Sequence, residues 1–351
     1  MVSSKRVVFN SVPSGFPVAG KDLILDTVEI DLNNVPQGGV ITKNFYVSFD
    51  PYQRGRMRAP DVKSYTPEFT LHQAITNNGI SQIVKSDNPN FKEGELCSGH
   101  TGTEEYTVHT EQTAKGLKKI HNPHNLPLSY FTGALGMPGL TAYSSLYEIG
   151  KPKKGETIFI SAASGAVGSI VGQLAKREGL RVIGSAGSDE KVAYLKNELK
   201  FDEAFNYKTI STDEALKKYA PDGIDIYYDS VGGEALDAAL AHGNTNARFV
   251  ECGMISQYNI ANPKDAYPIK NIQAVVPKRY TIRGFIVGDA DFGPKYSKEH
   301  QENVGKWLAN KELIYRESVS DGLDNAIEGL LGLFHGKNFG KAVLKIADID
   351  Q

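Results

Sequence analysis

The stretch Ser161-Ala162-Ala163-Ser164-Gly165-Ala166-Val167-Gly168 decides the fold. Ahead of it runs an apolar strand, Thr157 to Ile160, and behind it Val167, Ile170, Val171, Leu174 and Ala175 recur at the period of a helix packed on a sheet. Strand, turn and helix in that order leave backbone N–H groups at a helix start, where they and the helix dipole can hold a pyrophosphate. Gly165 lets a phosphate approach the backbone, and Gly168 lets helix and strand pack closely. Ala163 stands where the usual GxGxxG has its first glycine, and a lone glycine-rich string is also compatible with no more than a tight turn.

The next strand adds the context. In such a fold an Asp or Glu normally ends the second strand and takes the ribose 2′-hydroxyl of NAD. Here the second strand, Arg181 to Ile183, ends in Gly184-Ser185-Ala186-Gly187-Ser188, with no acid at its tip, and Asp189, Glu190 and Lys191 follow. Small residues, Gly187 and Ser188 among them, leave room for a 2′-phosphate that Lys191 would neutralise. A capped helix with a solvated lysine is the alternative for Lys191, but turn and missing acid together favour NADP over NAD.

At 351 residues, with 40% hydrophobic and 23% charged side chains, the chain is long enough for two domains with sizeable cores. A net charge of −2 with acids and bases interspersed argues against a nucleic-acid face or a polybasic membrane patch, and for a small polar partner. Cys97 and Cys252 are too few and too far apart for a disulfide framework or a structural zinc site, which fits a reducing compartment. The start, Met1-Val2-Ser3-Ser4-Lys5-Arg6, lacks a signal-peptide core and no run is long enough to span a bilayer, so the expected location is cytoplasmic, with diffusion into the nucleus left open.

Three segments follow from the pattern. Residues 1–130 hold short strands punctuated by Gly, Pro and Asn (Arg6 to Phe9, Val40 to Val47, Gly79 to Lys85, Glu105 to Val108), which suggests a barrel-like β-rich catalytic domain. Residues 131–311 alternate strands (near Ala204-Phe205, then Ile224 to Asp229, Ala247 to Cys252 and Tyr280 to Val287) with helices such as Glu234 to His242, predicting a Rossmann-type, doubly wound parallel sheet in an α/β fold. Residues 312–351, with a periodic helix through Leu323, Ala326, Ile327, Leu330 and Leu331 and a strand Ala342 to Ile346, are expected to return to the first domain. Gln257 to Pro277 reads as a long loop and a candidate substrate lid.

Ligands of open α/β sheets bind beyond the carboxyl ends of the strands. Those tips carry Asp229-Ser230-Val231-Gly232-Gly233, either a flexible cofactor turn or a simple strand-to-helix connection, and Cys252 to Tyr258, in which Ile255 is an expected cofactor contact and the Tyr258 hydroxyl falls just outside a strand end where a nicotinamide would lie. Cys252 has no neighbouring base in sequence and reads as a packing residue beside the cofactor. Cys97 and His100 form a loose CxxH, yet no Gly-His-Glu run or group of four cysteines accompanies them, so no zinc site is expected and His100 and His109 read as ordinary polar residues. Without a Lewis acid, alkoxide stabilisation is weak, whereas reducing a conjugated C=C bond sends charge to a carbonyl oxygen that hydroxyl donors can stabilise.

Several longer strings agree: DPYQRGRM from Asp50 to Met57, GMPGLTAY from Gly136 to Tyr143, AASGAVGS from Ala162 to Ser169, AGSDEKVAYLK from Ala186 to Lys196, FNYK from Phe205 to Lys208, CGMISQYN from Cys252 to Asn259, and Asn338 within Gly336 to Lys341. In these the chain resembles, over nearly its whole length, the zinc-independent medium-chain dehydrogenase/reductases, in the branch of prostaglandin and leukotriene reductases and alkenal double-bond reductases. The resemblance implies a GroES-like catalytic domain beside the Rossmann domain. It places Gly165, Ala166 and Val167 at the pyrophosphate, Lys191 and Tyr207 at the 2′-phosphate, and Phe285, Val287 and Asn338 on the nicotinamide side of NADP(H). It also implies that Tyr258 and Tyr52 are the matching hydroxyls at the substrate, Tyr258 bonding the nicotinamide ribose or the substrate oxygen and supporting the enolate and Tyr52 lining the pocket, with packing tyrosines as the alternative. Ala59 to Asn78, where pocket walls are expected, matches no single member. The expected activity is NADPH-dependent reduction of α,β-unsaturated aldehydes or ketones by a homodimer paired through the Tyr280 to Val287 edge. A quinone reductase and a low-turnover NADPH-binding protein are the alternatives.

Overall fold

The computed structural model describes residues 1–349, which divide into one unit of residues 1–133 with 317–349 and a second of residues 134–316. In the second unit six strands pair in the order Glu203–Asn206, Arg181–Ala186, Thr157–Ile160, Ile224–Asp229, Gly243–Glu251, Thr281–Gly284, all parallel. Numbered by position in the chain, that order is 3-2-1-4-5-6, the doubly wound arrangement of dinucleotide-binding sheets. Helices cover the central strands, so Ile158, Phe159, Ile160, Ile226, Tyr227 and Tyr228 are all buried, and the strands read as continuous apolar runs. Phe159 stacks on Tyr227 (ring centroids 5.1 Å apart) and Phe205 (5.8 Å), tying three strands across one face.

The turn after Thr157–Ile160 is as tight as its composition implies. Ala162 adopts a left-handed φ of 47°, and a Cβ at Gly168 would lie 2.7 Å from the Ala162 carbonyl and 2.8 Å from Ala163 Cα. One turn on, a Cβ at Gly172 would fall 2.0 Å from the Phe201 ring, so the helix Gly168–Arg177 lies on the sheet as only glycine permits.

Two strand ends and one loop near the strand tips differ from expectation. The second strand extends past Ile183 to Ala186, because Gly184 to Ala186 pair with Ala204 to Asn206 in the neighbouring strand. The edge strand covers only Thr281–Gly284, short of the expected Val287: its one partner among the described residues, Gly243–Glu251, ends where Glu251 faces Gly284, and Phe285 and Val287 therefore lie in the turn beyond. The Gln257 to Pro277 stretch is not a bare loop. It contains short 3₁₀ turns at Pro263–Asp265 and Asn271–Ala274, and the Asp237 carboxylate accepts the N–H groups of Lys270 (2.8 Å) and Asn271 (2.7 Å), pinning its second half to the helix Gly233–His242.

In the first unit a seven-stranded sheet runs Glu317–Asp321, Lys341–Lys345, Val40–Ser48, Thr76–Ser86, Leu96–Gly102, Lys118–Lys119, with Tyr106–His109 also on Val40–Ser48. All its pairs are antiparallel except the parallel first one, which the C-terminal segment supplies. Val2–Phe9 and Leu23–Ile30 form a separate antiparallel pair. The core joins Phe9, Val47, Phe49, Met57, Leu330 and Leu344. Among the described residues no helix is long and apolar enough to cross a membrane.

Because a Cβ at Gly168 meets backbone rather than a side chain that could move, Gly168→Ala should lower unfolding stability by about 1–3 kcal/mol. Denaturant midpoints of the two proteins check this, and an unchanged midpoint would mean the turn is looser than described.

Candidate cofactor site

Parallel pairing brings the carboxyl ends of all six strands of the second unit to one edge. At the first tip, Ser161 Oγ donates to Asp229 Oδ1 (3.1 Å) and accepts the Ser230 N–H (2.9 Å), while the Ala163 N–H bonds to the Ser185 carbonyl (2.9 Å). The turn is thus fastened to both flanking strands. No side chain caps the helix Gly168–Arg177 that follows Gly165, Ala166 and Val167, so its start is a place where a ligand phosphate can take the role of a cap.

The next helix, Asp189–Asn197, is capped: Ser188 Oγ accepts the Lys191 N–H at 3.3 Å, which sets Lys191 in its first turn. A Cβ at Gly187 would sit 2.9 Å from the Tyr207 hydroxyl, so Tyr207 lies directly over the glycine. Burial first, and then the nearby Lys208 ammonium, hold the Lys191 pKa below the ordinary lysine value. Two ammonium groups, a phenol and a bare glycine in one corner suit a dianion, whose arrival would reverse the Lys208 effect. Lys208 had no assigned role in the sequence, although it directly follows Tyr207 at a strand tip, which is the signal that could have found it.

Asp229 resolves the ambiguous Asp229 to Gly233 segment. Its Oδ1 accepts the N–H groups of Val231 (2.8 Å) and Gly232 (2.9 Å), making an anchored strand-to-helix connection rather than a flexible turn. Gly232 and Gly233 both take positive φ, and a Cβ on Gly232 would meet Met254 at 2.8 Å. The segment beyond Cys252 folds back on this connection: the Ile255 N–H bonds to Ser230 O (3.2 Å), and the Ser256 N–H to Val231 O (3.1 Å). Tyr258 closes the arrangement, its hydroxyl accepting the Met254 N–H at 3.0 Å beside Gly253. Burial raises the Tyr258 pKa, so the phenol is protonated at neutral pH, and the bond from Met254 does not use its proton. Burial pushes the Cys252 thiol up to about 11, which disfavours the thiolate at neutral pH. In the turn beyond the edge strand, Phe285 packs on Phe292 (4.8 Å between centroids), and the Val287 carbonyl accepts the Gly293 N–H (2.8 Å).

Tyr52 and Asn338 belong to the first unit. Tyr52 precedes the short helix Gln53–Arg56 and donates its hydroxyl proton to Asn77 Oδ1 at 2.6 Å. Asn77 Nδ2 faces three acceptors, Ser48 O (2.6 Å), Asp50 Oδ2 (2.9 Å) and Gln53 Oε1 (3.1 Å), so the amide cannot flip without setting oxygen against oxygen. The Tyr52 proton is therefore directed inward, and its oxygen, which also interacts with the Arg56 guanidinium, has only acceptor capacity left to offer. Buried Lys341 stands behind this network, its ammonium 3.4 Å from Asp50 Oδ1. Neither Asn77 nor Lys341 stood out in sequence; an Asn inside a strand, a residue type strands disfavour, was the available hint. Asn338 donates from Nδ2 to Gly340 O (2.8 Å). Buried His109 bonds to Thr42 Oγ1 (3.2 Å), and burial pushes the Cys97 thiol up to about 12. Among the described residues no three His, Cys, Asp or Glu side chains are grouped so as to hold a metal ion.

If Lys191 and Tyr207 form the 2′-phosphate corner, Lys191→Ala should weaken NADPH binding about ten- to a hundredfold, the loss of one charge-assisted bond. Titration with NADPH and NADH checks it: NADH affinity should stay within about twofold, and equal losses would remove Lys191 from the phosphate site.

Residues 166–302 match the family model described as zinc-binding dehydrogenase, and residues 5–120 match the N-terminal domain of oxidoreductase. An NADP-dependent oxidoreductase of Cochliobolus heterostrophus is 50% identical over 351 residues, covering 100% of this chain and 99% of that one. An NADP(+)-dependent 2-alkenal reductase of Nicotiana tabacum is 45% identical, covering 99% of this chain and 98% of that one. Among solved structures, CurA from Vibrio vulnificus in complex with NADPH superposes with a TM-score of 0.88 at 36% identity, covering 98% of this chain and 100% of that one. The anchored glycine turn, the sheet order and these matches agree that the chain belongs to the medium-chain dehydrogenase/reductase superfamily, in its branch of NADP-dependent alkenal and enone reductases.

Proposed function

We propose that the protein reduces the C=C bond of α,β-unsaturated aldehydes or ketones with NADPH, and that Tyr258 carries the reaction's charge stabilisation. One observation bears most of this weight: the Tyr258 hydroxyl accepts a backbone N–H and so keeps its proton for an acceptor beyond the strand tips. The turn Gly165 to Val167 would hold the cofactor's pyrophosphate, and Ser188, Lys191, Tyr207 and Lys208 its 2′-phosphate. Bound NADPH would supply a hydride for the β-carbon, and a proton taken up at the α-carbon would convert the enolate to the saturated product. As that carbon is reduced, negative charge grows on the carbonyl oxygen, and a neutral, buried phenol is a suitable donor to it. The Met254 N–H strengthens the phenol as a donor by stabilising developing charge on its oxygen. Tyr52, with its proton committed to Asn77, would line the substrate pocket as an acceptor. The relatives named for alkenal reduction support the substrate class, and two free cysteines fit a reducing, cytoplasmic setting.

The assay follows loss of reduced-nicotinamide absorbance with NADPH, then NADH, against alkenals, enones, quinones and saturated aldehydes. Rapid NADPH-specific turnover of the conjugated alkenes is expected; turnover of quinones alone, or none despite tight NADPH binding, would overturn the assignment. Tyr258→Phe should lower kcat on the order of a hundredfold with little change in NADPH affinity, and an unaltered kcat would take Tyr258 out of the mechanism.

A homodimer is part of the same reading. The edge strand Thr281–Gly284 has a partner on one side only, and Ile282, Val276 and Ile272 nearby are exposed, Val276 at 80%. An open apolar edge of this kind pairs readily with a second copy. Light scattering should give twice the 38.3 kDa chain mass for the native protein and a single chain mass for Ile282→Lys with Val276→Glu; a native monomer would rule the interface out.

A further inference from the structure

We propose that Asp229 and Glu251 hold one proton between them, with Glu251 as its carrier, and that this acid pair positions the two turns bearing Tyr258. Asp229 and Glu251 are the last residues of adjacent parallel strands and face each other in register. Their side chains interact directly, the Asp229 carboxyl acting on the Glu251 carboxyl. Asp229 is fully buried, and its Oδ1 collects donors from Tyr227 Oη (2.8 Å), Val231 N (2.8 Å), Gly232 N (2.9 Å) and Ser161 Oγ (3.1 Å). Among the described residues its Oδ2 has no donor, nor has either oxygen of Glu251, although all three atoms are shut off from solvent. Three buried acceptors without a donor are costly; a single proton between the two carboxyls satisfies two of them and removes the repulsion of two adjacent charges.

The donors decide where that proton rests. Four of them favour the ionised form of Asp229, and none favours ionised Glu251. Glu251 therefore donates to Asp229 Oδ2. Burial first, then the Asp229 charge, push the Glu251 carboxyl up to about 8, so the pair bears a single negative charge through the neutral range. Around it stand the phenol of Tyr227, the hydroxyl of Ser161 from the neighbouring strand, and the Cys252 thiol, which feels both carboxyls; Tyr258 feels Asp229. Asp229 alone, of the charged groups, acts on Glu251.

The pair sits at the root of both turns. The Asp229 carbonyl accepts the N–H groups of Cys252 (2.9 Å) and Gly253 (3.1 Å), and from there the ladder through Ser230, Val231 and Met254 leads to the Tyr258 hydroxyl. A second negative charge here would drive the strand tips apart and loosen that ladder. Glu251 is thus a positioning residue; its effect on turnover rests on the role proposed for Tyr258, while the shared proton does not.

Infrared spectra and rate profiles test the two parts separately. The native protein at about pH 7 should show the carbonyl stretch of a protonated carboxylic acid, which disappears as pH rises through about 8 and is missing from Glu251→Gln. The glutamine amide donates the same bond but does not titrate. Enone turnover by the native enzyme should fall roughly tenfold from about pH 7 to about pH 9, relative to Glu251→Gln over the same range. No protonated-acid band in the native protein, or a Glu251→Gln profile with the native midpoint, would overturn the proposal. If no enone is turned over, the infrared band alone still decides where the proton is, and the functional reading fails independently.

Discussion

Parallel pairing is the constraint on which the second unit depends. Strands that all run one way must end at one edge, and their last residues meet there whatever their separation in sequence. Ser161, Ser185, Asp229 and Glu251 come from four strands, yet the hydrogen bonds joining Ser161 to Asp229 and Ala163 to Ser185 make one continuous rim. Each connecting turn then has to leave the rim without blocking it. That is why positive φ and missing side chains concentrate there, at Ala162, Gly168, Gly232 and Gly233. The buried central strands give this rim a rigid base, and Asp229 and Asp237 use their carboxylates to tie down the segments that could otherwise move.

Hydrogen-bond polarity gives the two tyrosines different chemistry. Tyr258 accepts from a backbone N–H and keeps a proton to give; Tyr52 gives its proton to an amide that three acceptors hold in one orientation. A phenol has one proton and its surroundings decide where that proton points. Two residues of the same type thus offer a donor in one unit and an acceptor in the other. Electrostatics follow the same logic in the corner of Lys191 and Tyr207, where the Lys208 ammonium lies close enough to disfavour charge on Lys191.

Much of this was legible locally. The strand, glycine turn and helix from Thr157 to Ala175 could be read because period and turn chemistry are properties of neighbouring residues, and the missing ribose acid could be read because its place is a fixed step from the turn. Tyr258 was marked by its position just past a strand. The ends of the Arg181–Ala186 and Thr281–Gly284 strands were misjudged, since a strand continues only as far as its partner does, and the partner is remote in the chain. The Gln257 to Pro277 stretch looked like a free loop because the carboxylate that pins it, Asp237, lies on a helix earlier in the chain.

By itself, then, the order of residues determined the α/β class, the glycine turn between strand and helix, and NADP as the cofactor, all of which rest on local periodicity, turn geometry and the presence or absence of one charge. Only the tertiary structure decided that Lys208 joins Lys191, that Asn77 aims the Tyr52 proton, and that Glu251 faces Asp229 in a buried pair. The physical reason is distance. A pKa or a hydrogen-bond direction depends on whatever lies within a few ångströms, and folding chooses those neighbours from residues tens of positions apart.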